Sequence, residues 1–97
     1  MKIFKDALMT QEVEILDLGI VPAGETKKYT YYVVNDIMAL VIELSFVVDH
    51  KEVKVVKAPE TLKYLEKAEL HLSWTPSIDI KQGLKTSLQI SGKELYK

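Results

Sequence analysis

Hydrophobic and polar residues alternate with a period of two along most of this chain, which is the signature of half-buried β-strands. From Thr26 to Asn35, Tyr29, Tyr31 and Val33 fall on one face, and Lys28, Thr30, Tyr32 and Val34 on the other. From Leu40 to Val48, Leu40, Ile42, Leu44, Phe46 and Val48 share one face, and Val41, Glu43, Ser45 and Val47 share the opposite one. Ala68, Leu70, Leu72 and Trp74 alternate inward in a third segment, and Leu84, Thr86, Leu88 and Ile90 in a fourth. Val13 to Leu18 and Val53 to Lys57 are shorter candidates. β-branched and aromatic residues dominate these runs, as strands prefer.

Turn residues separate the runs: Pro22-Ala23-Gly24-Glu25, Asn35-Asp36, Asp49-His50-Lys51, Thr75-Pro76-Ser77 with Gln82-Gly83, and Ser91-Gly92. Strands of this length, so divided, predict an all-β antiparallel sandwich with one face of each sheet buried. Residues 59–68 break the pattern, because Pro59 is followed by helix formers and Leu62 and Leu65 keep helical spacing. The flanking strands favour a loop crossing between sheets, with a short helical turn near 60–67 as the alternative. Residues 1–12 show no firm period, and Ile3, Phe4, Leu8 and Met9 are more apolar than a free tail should be. They form either a first strand or an arm that orders on a partner, ahead of a sandwich spanning 13–97.

Composition narrows the function. Ninety-seven residues, 47% hydrophobic and 28% charged, make one ordinary globular domain. Cysteine is absent, which excludes disulfides, thiolate nucleophiles and sulfur metal sites and fits a reducing compartment. The N-terminus lacks the unbroken apolar stretch of a signal peptide, and the apolar run Ile37 to Leu44 is too short to span a bilayer, so the chain is expected to be made in the cytoplasm with no membrane partner. All thirteen basic residues are lysine and the net charge is −1, which argues against nucleic acid, whose readers lean on arginine and a basic surface.

Candidate chemistry is sparse. His50 and His71 are the only histidines, too few converging ligands for a zinc site, so no metal is expected. Ser45, Ser73, His71 and Glu43 all fall on outward positions, where a sheet face offers neither cleft nor oxyanion hole. No catalytic residue, cofactor or small-molecule substrate is expected. Gly19 and Gly24 read as turn residues rather than a phosphate cradle, and Asp17 as a side chain bonded to its local backbone. Trp74 reads as core, its indole N–H in need of a partner. Tyr32, Val34, Val41 and Val47 occupy positions assigned to solvent. If their strands are neighbours they make a half-apolar patch, a candidate protein interface beside the arm residues Ile3, Phe4, Leu8 and Met9. Lys54, Lys57, Lys85 and Lys93 read as guards against strand addition at sheet edges.

The order of these segments resembles a known family. Leu16-Asp17-Leu18-Gly19-Ile20-Val21 is similar to the opening of ASH/MSP-type immunoglobulin-like domains, and Gly24-Glu25 with Tyr29, Tyr31, Val33 and Asn35 continues the likeness. Val53 through Leu62, Leu70 through Pro76, and Gly83 to Ile90 carry it over residues 13–92. Small phage virion proteins share the pattern. The chain departs from it at Tyr64-Leu65-Glu66, where the family has a Pro-Gly turn. The resemblance implies an immunoglobulin-like sandwich of about seven strands and a non-enzymatic structural protein. In the setting it implies, this is a virion accessory protein, a capsid decoration or tail-associated component of a bacteriophage. It would bind capsid or tail proteins, with self-association open, and be located in the virion. A cellular ASH/MSP-like adaptor or periplasmic binding domain, or a cytoplasmic location, is the alternative.

Overall fold

The computed structural model describes residues 1–79 and 81–96, and every regular element among them is a β-strand. There are eight: β1 (Lys2–Phe4), β2 (Leu16–Gly19), β3 (Lys27–Val34), β4 (Leu40–Val48), β5 (Val53–Lys57), β6 (Lys67–Trp74), β7 (Leu84–Thr86) and β8 (Leu88–Leu95). All pairings are antiparallel. One layer is a four-stranded sheet in the order β1-β3-β6-β5. The other consists of β4 paired with β8 and β2 paired with β7. Ser87 alone separates β7 from β8, so one run of chain changes partner there instead of forming a single strand.

The alternation read from the sequence decides which faces meet. Val33, Leu70, Leu72 and Trp74 of the four-stranded sheet are wholly buried against Leu16 and Leu18 of β2 and Phe46 of β4. Each such side chain contributes about 1.5–3 kcal/mol of burial. Trp74 is core as expected, but its indole N–H has no hydrogen-bond partner among the described residues. The Glu52 carboxylate, whose pKa is lowered chiefly by Ser77, takes a smaller contribution from this indole, so the donor has an acceptor nearby.

Two expectations change and two open alternatives are decided. First, β4 does not alternate without a break. Its register with β8 shifts between Ile42 and Ser45, and Glu43 adopts φ 53°. This β-bulge reverses the facing of the residues before it, so Val41 turns into the core (2% exposed) and Leu40 turns out. Second, Ser91-Gly92 is no turn. It lies inside β8 opposite the bulge, where Gly92 leaves room for the crowded strand: a Cβ there would stand 2.6 Å from Val41 Cγ1.

Third, residues 59–66 hold no helical turn. Leu62 is drawn into a bridge with Val41, and Lys63–Glu66 close a tight turn, with Glu66 N–H donating to Lys63 O at 2.9 Å and Leu65 at φ 65°. Fourth, the N-terminus supplies a strand, since Lys2–Phe4 pair with Tyr32–Val34.

Asn35 joins the layers at the end of β3. Its side chain donates to Ala39 O (2.8 Å) and Leu62 O (2.9 Å) and accepts from Ile37 N–H (2.8 Å). Its backbone bonds Glu66 O and Leu65 N–H in the crossing loop. It is fully buried, and every polar atom it carries in that interior is used.

Candidate interaction surfaces

The residues expected to form an interface are scattered by the fold. Ile3 is 7% exposed and belongs to the core, and Phe4 is half-buried in β1. Neither is an arm residue. Asp6 explains the loop that follows. Its carboxylate accepts from the backbone N–H of Thr10 and Gln11 and from the Thr10 hydroxyl, closing residues 6–11 into a turn. These bonds, the Thr10 hydroxyl foremost, hold the carboxyl below its ordinary pKa. Met9 is half-buried, and Leu8 projects from the loop at 85% exposure.

The tyrosine–valine patch does not assemble. Tyr32 and Val34 lie half-buried on the outer side of β3, in the four-stranded sheet. Val47 is exposed on β4 in the other layer, and Val41, turned by the bulge, is inside. The expectation required β3 and β4 to be neighbours, and they are not.

The polar candidates are likewise placed apart. His71 and Ser73 are on β6, Ser45 and Glu43 on β4, in separate sheets. His71 Nε2 meets the Glu69 carboxylate at 2.8 Å, and that contact is the chief cause holding the Glu69 pKa low. His50 Nδ1 accepts from Glu52 N–H (3.2 Å), and its ring stands edge-on to Trp74 with centroids 6.2 Å apart. Among the described residues no three His, Asp or Glu side chains converge as metal ligands. Asp17 accepts from Gly19 N–H (3.2 Å), the local backbone bond expected of it. Gly24 sits at φ +83° in a turn, as its identity suggested, whereas Gly19, at φ +72°, ends β2 at the register shift in its pairing with β7.

A different apolar surface forms at one end of the sandwich. Met38 (78% exposed) comes from the β3–β4 turn, Tyr64 and Leu65 from the crossing loop, Leu40 from the start of β4, and Leu95 and Tyr96 from the end of β8. Leu40 and Leu95 are cross-strand partners, which fixes two of the three segments against each other. Met38, Leu40, Tyr64, Leu95 and Tyr96 line a shallow groove of about 570 Å³. The Tyr96 hydroxyl donates to the Glu94 carboxylate, a bond that raises the tyrosine pKa. Sequence reasoning missed this surface because an unbroken period puts Leu40 inward. Its other members lie in turns and at the end of β8, and periodicity does not say that these come together.

These features define an antiparallel β-sandwich with an apolar end. A comparison with protein-family models finds no match to this chain, and comparisons with curated proteins and with solved structures find none either.

Proposed function

We propose that this chain is a non-enzymatic interaction module of immunoglobulin-like type, a virion accessory protein that docks on capsid or tail structural proteins through its apolar end. The observation that carries the docking surface is the gathering of Met38, Leu40, Tyr64, Leu95 and Tyr96, from three separate segments, around one exposed groove. Isolated surface apolar residues are ordinary; a contiguous group with aromatic members is the composition of an interface core.

Two things support the immunoglobulin-like part. The sequence resembles ASH/MSP-type domains over residues 13–92. The sheet order β1-β3-β6-β5 also corresponds to the A-B-E-D sheet of an immunoglobulin sandwich, with β4 in the place of strand C and β7–β8 in that of strand F. The virion setting is drawn from the sequence resemblance.

The test is binding of the purified chain to purified particles, with mass spectrometry of the same particles asking whether the chain is a component. Met38→Ser with Tyr96→Ser removes two exposed side chains and should leave the unfolding transition within about 0.5 kcal/mol of the parent. Binding should fall at least tenfold. Undiminished binding by this double variant would refute the apolar end as the docking surface.

A further inference from the structure

The outer face of the four-stranded sheet carries a charge that the composition of the whole chain conceals. Cross-strand partners share a face, and Ile3, Val33 and Leu70 are turned to the core, so the register gives the outward rows. Lys2, Val34 and Lys67 form one row, and Phe4, Tyr32 and Glu69 the next. Thr30, His71 and Lys57 form a third, and Lys28, Ser73 and Lys54 a fourth. All five lysines are exposed.

Two carboxylates share the face. Glu69 lies beside Tyr32 and meets His71 Nε2 at 2.8 Å, and Glu12 is bridged to Phe4 at the sheet margin. Five lysines against two glutamates leave +3, with His71 neutral. The chain as a whole carries −1, so everything outside this face carries −4. Carboxylates at the ends of the rows are engaged: Asp36 with the Met1 ammonium at 2.8 Å, and Glu52 with Ser77 N–H at 3.1 Å. The basic strip continues over the free part of the β3 edge. There Lys5, Lys27 and Lys28 line a hollow of about 500 Å³ in which Asp17 is the one acidic residue.

Two aromatic rings stand within this field. Phe4 and Tyr32 are direct cross-strand partners, both half-buried. Successive outward rows are about 7 Å apart along a strand. Lys2 and Lys67 are therefore one row from the rings on one side, Lys57 one row away on the other, and Lys28 and Lys54 two.

The chemistry separates the polyanions that could lie here. Protein interfaces are depleted in lysine and draw on arginine, and this chain has no arginine. Lysine meets a phosphate as a point charge, and an aromatic side chain on an exposed sheet offers a π-face to an unpaired base. Readout of base edges leans on the arginine fork, so a lysine face binds without regard to sequence.

We propose that the outer face of the four-stranded sheet binds single-stranded nucleic acid, with bases stacked on Phe4 and Tyr32 and phosphates on the lysine rows to either side. This surface is distinct from the apolar end, and either can fail without the other.

The experiment uses the full chain, labelled with 15N, and a fluorescent oligothymidylate of about sixteen nucleotides at about 50 mM salt. Amide shifts should concentrate at Phe4, Thr30, Tyr32, His71 and Ser73. Log affinity should fall against log salt with a slope of about −2 to −3.5, as three to five phosphate contacts require. Lys28→Glu, Lys54→Glu and Lys67→Glu together should weaken binding at least tenfold. Lys63→Glu, Lys81→Glu and Lys93→Glu together, off this face but equal in charge change, should weaken it much less. Tyr32→Leu keeps an apolar side chain but loses the ring, and should weaken binding about fivefold or more. A thermal scan of each variant reports that it is folded. No binding at this salt, shifts confined to another surface, equal losses in the two triple variants, or undiminished binding by Tyr32→Leu would overturn the proposal. So would tighter binding of polyglutamate, which would make the occupant an acidic protein, or of phosphatidylserine vesicles, which would make it a membrane.

Discussion

Replacing Asn35 by alanine tests whether one buried amide holds the two layers in register. The substitution removes three hydrogen bonds, to Ala39 O, Leu62 O and Ile37 N–H. At about 1 kcal/mol net for each, the bonds alone amount to about 3 kcal/mol. The carbonyls of Ala39 and Leu62 belong to buried residues, so they lose a donor where water does not readily replace it. That raises the expected loss to about 3–5 kcal/mol, a large part of the 5–15 kcal/mol typical of a domain. At about 4–8 °C per kcal/mol for a chain of this size, Tm should fall by roughly 15–30 °C. Urea unfolding followed by circular dichroism measures the first quantity and a thermal scan the second. Asn35→Asp sharpens the test. It keeps an acceptor for Ile37 N–H but sets carboxylate oxygen against two carbonyls in the interior, so the native state favours the protonated acid and its pKa is raised. The native state then binds more protons than the unfolded chain, and stability must fall as pH rises above about 4. A loss below about 1 kcal/mol for Asn35→Ala, or no pH dependence for Asn35→Asp beyond that of the parent, would refute the reasoning.

Two further outcomes follow from the same structure. Gly92→Ala would place a Cβ 2.6 Å from Val41 Cγ1 and 3.1 Å from Leu44 Cδ2, so urea unfolding should show a loss of about 1–3 kcal/mol from overpacking at the bulge. The Asp6 carboxyl has its pKa lowered, chiefly by the Thr10 hydroxyl, so the native state binds fewer protons than the unfolded chain. The order it gives to residues 6–11 is therefore present above about pH 4 and lost as pH falls through the lowered value, and protection factors of the Thr10 and Gln11 amides should drop between about pH 6 and about pH 2. Asp6→Asn should abolish that difference; equal protection at both pH values in the parent would count against the account.

The strands were legible in the sequence wherever one face is buried and the period is unbroken. Tyr29, Tyr31 and Val33 on β3 and Leu70, Leu72 and Trp74 on β6 face inward as the alternation requires. Legibility ended where a single residue departs from the period. A bulge at Glu43 leaves no compositional trace, because Leu40 to Val48 alternates hydrophobic residues well enough in either register. Gly92, whose usual reading is a turn, is explained only by the strand opposite it. The apolar end was hidden for the same reason: it depends on which turns and strand ends come together, and periodicity carries no such information.

The bulge also ties the apolar end to one core decision. With β4 in strict alternation, Leu40 would point inward and Val41 outward. With the extra residue, Leu40 joins Leu95 on the exposed end, while Val41 enters the interior, bridges Leu62 of the crossing loop and lines a hollow beside β8. The same step therefore supplies one apolar side chain to the end and one to the core. It also covers the outer edge of β4 through Leu62. A sequence change that straightened β4 would shift Leu40 and Val41 together, so the apolar end and the packing of β4 against β8 share one structural origin at Glu43 and Gly92.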